Sequence, residues 1–218
     1  MESVGEAGLE LERVFTLMPD LIIGPTDSVE DAYDELQQIA PTVALGGNDW
    51  RGNLRLVADA SGRRDRAEQI IADHDARVRD PRRRLATQAT GTVSILRPFQ
   101  DGTFTIYGRR TSYAGTVLEE LGLERPSSED GTEDQVSDGF ERVGEFGAAD
   151  VLFVIVGFVG AGVTGRELDP LAEDPCGNGL PAVRAGRVYL AYPAYWIESN
   201  PFAIDGVLDD VERHLLAS

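Results

Sequence analysis

Lysine is absent from this 218-residue sequence, in which all 20 basic residues are arginine. Acidic residues outnumber the arginines, since 38 aspartate and glutamate residues bring the net charge to −18. A surface this acidic repels the phosphate backbone of nucleic acids. The composition therefore argues against nucleic-acid binding.

Cysteine, histidine and long apolar runs are also scarce. Cys176 is the single cysteine, which excludes an intrachain disulfide and a cysteine-based zinc site. The two histidines, His74 and His214, are too far apart to indicate a metal cluster and leave few candidates for general acid–base catalysis. The longest apolar run, VLFVIVGFVGAGV, is shorter than a membrane span and is interrupted by glycine, so it predicts a buried strand.

Apolar residues in the first 45 positions follow a helix–strand–helix–strand order. The predicted elements are a helix over 9–17, a strand over 21–24, a helix over 29–39 and a strand over 42–45. This order gives one βαβ unit, but two strands do not form a stable sheet alone. We therefore expect that further strands precede this segment or that a partner supplies them, for example in a homodimer formed through the exposed edge.

A charged helical segment follows this unit. Residues 50–60 and 63–79 have helical periodicity, with Gly62 as the joint between them and Asp80–Pro81 as the predicted end. The second helix would span roughly 25 Å at about 1.5 Å per residue. Because it is charged on most of its faces, we expect a half-solvated strut between two α/β segments.

Strands and helices alternate again beyond the strut. The predicted strands cover 91–98, 103–108, 151–157 and 187–191, and the predicted helices cover 113–123, 136–147 and 204–216. The sequence therefore predicts an α/β protein with a remnant of a first lobe over 1–49, a connecting helix over 50–84 and a second α/β lobe over 85–218.

Seven segments occur in the order and at the spacing of a known family: LERVFTLMPDLIIG, YDELQQIAPTVAL, the strut helix, GTVSILRP, SYAGTVLEELGLERP, AADVLFVIV and LPAVRAGRVYLAYPAYW. On these motifs the chain resembles the substrate-binding proteins of iron–siderophore and cobalamin ABC importers, and most of all their ferric-siderophore branch. The resemblance implies two Rossmann-like lobes joined by a rigid helix, with the ligand held between them.

The start of the chain differs from the family pattern. In the family, several strands, a secretion signal and often a lipid-anchored cysteine precede the equivalent of Leu9. Here MESVGEAGLELER has neither the basic start nor the apolar stretch of a signal peptide. We therefore expect the first lobe to be incomplete and the chain to be truncated at its N-terminus.

Three arginines are candidates for binding an anionic ferric siderophore. Residues 85–118 contain Arg97, Arg109 and Arg110 against one acid, Asp101, and so carry +2, whereas residues 119–150 contain eleven acids and two arginines and carry −9. Arginine suits chelating oxygens because it donates several directed hydrogen bonds and stays charged. Arg97 ends a predicted strand, where a sheet opens into a cleft, and by resemblance it matches an arginine that points at the ligand. A rim arginine paired with a neighbouring acid is the alternative.

Aromatic side chains near these arginines are candidates for the walls of the ligand site. Tyr195 and Trp196 follow the last predicted strand, and by resemblance Trp196 matches a cleft aromatic. The other candidates flank the basic pair or follow the central strand: Tyr107, Tyr113 and Phe158. The alternative for the segment YPAYW is a hydrophobic plug under the C-terminal helix, an interpretation that we prefer for Tyr192.

The resemblance also implies the partners and the location of the protein. A glutamate on each lobe docks on the permease in this family, and Glu30 and Glu141 are the nearest matches. The protein is expected to be extracytoplasmic and to use no cofactor, since iron is bound through the chelator. No arrangement of catalytic residues is evident, so we expect a binding protein and not an enzyme.

Other functions remain open at this stage. The same scaffold could hold haem, cobalamin or another metal chelate, and a directly coordinated metal would favour His, Tyr or carboxylates facing inward. GAGVTG (160–165) fits a dinucleotide fingerprint, which would suit a nucleotide-dependent α/β enzyme. However, the acidic RELDPLAEDPCG that follows contains two prolines and does not resemble the required apolar helix. A non-functional fragment is the last alternative.

Overall fold

The computed structural model describes residues 10–99, 101–108, 112–129, 135–157, 168–197 and 201–216. The chain divides into two compact units, Met1–Ala72 and Asp73–Ser218. The boundary between these units lies within one helix, Arg64–Leu85.

The first unit contains the predicted helix–strand–helix–strand order. Its elements are α1 (Leu11–Thr16), β1 (Ile22–Pro25), α2 (Thr26–Val29), a 3₁₀ turn (Glu30–Ala32), α3 (Tyr33–Ile39), β2 (Thr42–Leu45), α4 (Trp50–Ala60) and the first part of α5 (Arg64–Leu85). The strands β1 and β2 are parallel, with Ile22 opposite Thr42. The helix predicted over 29–39 is thus divided among α2, the 3₁₀ turn and α3.

Apolar side chains on one face of this short sheet form the core of the first unit. Val14, Val29 and Leu36 are buried there, and Ile22 packs against them. The next residue of β1, Ile23, points to the opposite face and is 40% exposed. The alternation along β1 therefore places the helices α1–α3 on the Ile22 side of the sheet.

Helix α5 extends past the predicted stop. The prediction that Asp80–Pro81 ends this helix is wrong, because the helix continues to Leu85 with Pro81 inside it. An interior proline costs a helix about 3 kcal/mol, since it removes a hydrogen bond and crowds the preceding turn. Contacts elsewhere in the second unit must therefore offset this cost.

Arginines on both sides of Pro81 supply such contacts with the C-terminal helix. Arg77 Nη1 lies 2.6 Å from a carboxylate oxygen of Asp205. Arg84 Nη2 donates to the backbone oxygen of Leu216 over 2.7 Å. Pro81 itself is buried between these two contacts, so tertiary packing stabilises the helix through the proline.

A five-stranded mixed sheet organises the second unit, in the spatial order β5-β4-β3-β6-β7. Its strands are β3 (Val93–Pro98), β4 (Thr103–Tyr107), β5 (Gln135–Gly139), β6 (Val151–Ile155) and β7 (Val188–Ala191). β3, β6 and β7 are parallel, and β4 and β5 are antiparallel to their neighbours. The strands predicted for this lobe are confirmed, and β5 is additional.

The helix predicted over 136–147 is wrong in its first half. Residues 135–139 form the edge strand β5, and helical structure is limited to a 3₁₀ turn (Phe140–Arg142) and α7 (Val143–Phe146). β5 pairs with β4 along its length, and the hydroxyls of Thr105 and Ser137 lie 2.7 Å apart. Pairing with a strand about 30 residues earlier in the chain thus outweighs the local helical pattern.

Helices cover both faces of this sheet. They are α6 (Tyr113–Glu120), α8 (Asp169–Glu173), α9 (Pro175–Asn178), α10 (Pro181–Arg184), α11 (Pro193–Trp196) and α12 (Pro201–Val211), which continues as a π-helical turn (Glu212–Leu216). Leu96, Leu152 and Val154 pack on the side of α7, α8 and α10. Phe153 points the other way and stacks on α11. This layering confirms the predicted α/β class.

A buried ion pair links the segment after α6 to the sheet. Arg125 Nε lies 2.7 Å from Glu129 Oε2, and the two side chains are only 1% and 0% exposed. Arg125 Nη2 also donates to the backbone oxygen of Tyr107 at the end of β4, over 2.6 Å. The guanidinium therefore holds the end of a strand and a 3₁₀ turn (Ser127–Glu129) together.

We predict that Glu129→Gln lowers the free energy of unfolding by about 3–5 kcal/mol, because it removes the counter-charge of a buried guanidinium. Urea denaturation followed by circular dichroism measures this change. The matched control is Glu145→Gln, which breaks an exposed ion pair with Arg142 and should cost under about 1 kcal/mol. Equal losses in the two variants would contradict a structural role for the buried pair.

Candidate ligand site at the carboxyl edge of the second sheet

The carboxyl ends of three parallel strands meet at one edge of the second sheet. Leu96 of β3 is in register with Val154 of β6, which is in register with Leu190 of β7. The next residue along β3 is Arg97, so it lies level with Ile155 and Ala191. Ligand sites of open α/β sheets lie outside this edge.

Arg97 is half-buried, and its guanidinium is held in place at this edge. Nη2 donates to the backbone oxygen of Gly157 over 3.2 Å, and Cζ lies 5.1 Å from the centre of the Phe99 ring. Gly157 has a φ of +75°, a backbone conformation that glycine adopts without steric cost. The structure thus places a positioned cation where the sequence predicts one.

Trp196 is buried in the core and does not lie in an open cleft. The prediction that Trp196 contacts the ligand is therefore wrong. Its ring is 0% exposed and stacks on Phe153 at a centroid distance of 4.4 Å. Its indole N–H donates to Asp210 Oδ2 over 2.9 Å. Because α11 is a single turn packed against α12, it directs Trp196 into the core, as the alternative of a hydrophobic plug predicts.

The two tyrosines of the same segment face solvent instead. Tyr192 is 36% exposed and Tyr195 is 42% exposed. Their rings meet edge to face, with centroids 5.7 Å apart and planes at 70°. The interpretation of Tyr192 as part of the plug is therefore wrong. The sequence did contain a signal for this position: Tyr192 directly follows β7, so it lies at the carboxyl edge of the second sheet.

Two of the remaining aromatic candidates, Tyr107 and Tyr113, do not join Arg97 at this edge. β4 is antiparallel to β3, and Arg97 is opposite Thr105, so Tyr107 lies two residues further toward the amino end of β3. Tyr113 begins α6 and is 6% exposed. The other predicted ligand residues, Arg109, Arg110 and Phe158, lie outside the described residues, as does the glycine-rich segment 160–165.

Glu30 and Glu141 occupy similar local positions in the two units. Each is exposed and lies on a 3₁₀ turn that leads directly into an α-helix, α3 for Glu30 and α7 for Glu141. Both turns follow a β-strand within a few residues. Each unit therefore presents a carboxylate at a short, backbone-constrained turn.

No group of three or more His, Cys, Asp or Glu side chains in the described part of the chain is arranged to hold a metal ion. Across the same residues, no helix combines the length and the apolar character that crossing a membrane requires. Cys176 is exposed on α9.

His214 belongs to an aromatic cluster beneath this edge. Its ring stacks on Tyr189 of β7 with centroids 4.4 Å apart and planes at 15°. Burial in this cluster lowers the pKa of His214 below its ordinary value, an effect that Asp210 opposes and Arg213 reinforces. The imidazole is therefore harder to protonate in the folded protein than in the unfolded chain.

We predict that stability falls as the pH decreases from about 7.5 to 5.5, because the unfolded state takes up a proton at His214 at a higher pH than the folded state does. His214→Phe retains a ring but removes the titration, so its stability should depend less on pH over this window. Melting temperatures of both proteins measured across the window test this. Parallel pH profiles would contradict the assignment to His214.

Comparison with known proteins relates this arrangement to a family. The family described as "periplasmic binding protein" matches residues 5–195 of this chain. The Bacillus subtilis probable siderophore-binding lipoprotein YfiY is 34% identical, over 99% of this chain and 70% of its own length. The iron-uptake system-binding protein of the same organism is 22% identical, over 83% of this chain and 57% of its own length.

Comparison with solved structures shows that the fold also resembles that of known proteins. Staphylococcus aureus SirA superposes with a TM-score of 0.82 at 23% sequence identity, over 95% of this chain and 80% of SirA. This likeness confirms the predicted fold class. The family match confirms the resemblance that the sequence motifs indicate.

Proposed function

Because the chain belongs to the periplasmic binding protein family, we propose that it is the solute-binding component of an ABC importer and captures a ferric siderophore. The observation that carries this proposal is the 34% identity, over 99% of the chain, to a protein named as a probable siderophore-binding lipoprotein. Iron is held by the oxygens of its chelator, and the protein recognises the outer surface of the complex without a catalytic step.

The carboxyl edge of the second sheet supplies chemistry suited to such a ligand. A siderophore complex presents chelating oxygens, commonly with negative charge, and hydrocarbon or aromatic parts. Arg97 brings a positioned guanidinium, which forms stronger hydrogen bonds to anionic oxygens than neutral donors do. Tyr195 brings an exposed ring, which can pack against the less polar parts of the ligand.

We predict that Arg97→Ala weakens binding of a ferric siderophore about tenfold to a hundredfold, as expected for the loss of a charge-assisted hydrogen bond. Isothermal titration calorimetry with a panel of ferric siderophores and their iron-free forms measures this. Arg184→Ala is the matched control, because Arg184 is an exposed arginine on α10 and its loss should leave the affinity unchanged.

The same panel separates the proposed function from its rivals. Haem, cobalamin and a nicotinamide dinucleotide are included as competing ligands. If the folded protein binds one of these and no ferric siderophore at micromolar concentrations, the proposed function is wrong. If it binds a ferric siderophore and Arg97→Ala matches the wild type, only the assignment of Arg97 is wrong.

Delivery of the ligand is proposed to use Glu30 and Glu141 as contacts with the permease at the outer face of the membrane. The choice of these two residues is supported by their positions, because each is exposed on a 3₁₀ turn, one in each unit. The location at the membrane is supported by relatives that are named as lipoproteins.

We predict that the double variant Glu30→Ala/Glu141→Ala keeps its affinity for the ferric siderophore but loses most siderophore-dependent uptake when it is paired with its permease. Radiolabelled iron uptake into proteoliposomes measures this. The control is Glu35→Ala, an exposed glutamate on α3. Full uptake by the double variant would remove both residues from the docking surface.

A further inference from the structure

Exposed aromatic side chains concentrate immediately after the last strand of the second sheet. Tyr192, Tyr195 and Phe202 are 36%, 42% and 82% exposed. They lie within eleven residues of each other, on the loop after β7, on α11 and at the start of α12. Contiguous exposed apolar patches on a protein surface commonly mark binding sites.

The backbone of α12 provides a flat support for one of these rings. A Cβ atom at Gly206 would overlap the ring carbons of Tyr195, so this ring lies directly against the helix and no larger residue than glycine fits beneath it. Tyr192 contacts Tyr195 edge to face. Phe202 lies one helical turn before Gly206, on the same side of α12. The ring of Tyr195 is therefore supported from below by α12 and from the side by Tyr192.

This pair of tyrosines belongs to the same edge as Arg97. Tyr192 follows Ala191, which is in register with Ile155 of β6, and Ile155 is level with Arg97 of β3. Two strand spacings separate β3 from β7, so the backbone of Tyr192 lies about 10 Å from that of Arg97 along the edge. One chelate of siderophore size spans this distance.

We infer that Tyr192 and Tyr195 form an aryl-binding subsite, which selects iron chelators whose iron-binding arms are aromatic rings. This inference rests on the proposed function and specifies the class of its ligand. Aromatic rings prefer offset-stacked or edge-to-face contacts with other rings, and these contacts add stabilisation beyond the area that they bury. A supported ring with a perpendicular neighbour offers both geometries to an incoming ring, whereas an aliphatic hydroxamate arm gains only from burial.

The test compares two ferric complexes of similar size, a tris-catecholate and a tris-hydroxamate, by calorimetry. Tyr192→Leu and Tyr195→Leu replace each ring by an aliphatic side chain, and each should weaken the tris-catecholate about fivefold while leaving the tris-hydroxamate within about twofold. Tyr195→Phe keeps the ring and should retain the affinity of the wild type. Phe15→Leu is the control, because Phe15 is an exposed aromatic residue of the first unit.

A second measurement uses iron-free 2,3-dihydroxybenzoate as the probe, followed by saturation-transfer NMR. If saturation transfer is seen with the wild type and disappears in the Tyr192→Leu/Tyr195→Leu variant, the subsite is supported. If no ferric chelate binds in the same experiments, only the proposed function is overturned. Equal losses for both ferric complexes, or unchanged affinities and NMR transfer in the leucine variants, would overturn the aryl-binding subsite and leave the proposed function intact. Absence of binding in every arm would overturn both.

Discussion

The ladder that joins β3 to β6 and β6 to β7 places Arg97, Gly157 and Tyr192 at a single edge of the second sheet. These residues lie 35 to 95 positions apart in the sequence, and local structure alone would not bring them together. Parallel pairing in register brings the three carboxyl ends to the same level, and the hydrogen bond from Arg97 to the carbonyl of Gly157 then fixes the cation there. The proposed ligand contacts all depend on this register.

The packing of α11 against α12 divides the aromatic residues on this side of the sheet into a buried group and an exposed group. Trp196 and Phe153 stack in the core, where Asp210 accepts the indole N–H. Tyr192 and Tyr195 remain outside and are supported by the backbone of α12. Buried indole groups need a hydrogen-bond partner, and Asp210 meets this need within the protein. Residues adjacent in the sequence thus serve stability and the proposed recognition separately.

The charge of the chain limits how an anionic ligand can be held. At a net charge of −18, the overall field of the protein opposes the approach of a negatively charged chelate. Screening confines such long-range effects to about 8–10 Å at physiological salt. Directed contacts at short range must therefore provide the affinity, and a positioned guanidinium with neighbouring aromatic rings provides contacts of this kind.

Local pattern was sufficient for much of this protein. The pattern of apolar residues predicts β3, β4, β6 and β7, and it also predicts the helix that the structure shows as α6. The order of motifs indicates the family. These features depend on residues that are close together in the chain, so the sequence alone determined them.

Tertiary structure decided the rest, because contacts between distant residues competed with local preference. Helix α5 continues through the buried Pro81, and Arg77 and Arg84 on either side of it contact the C-terminal helix. Residues 135–139 form a strand since β4 offers hydrogen-bond partners. Whether a ring of the segment YPAYW enters the core or meets solvent depends on how α11 packs against α12, and spacing along the chain carries no information about that packing.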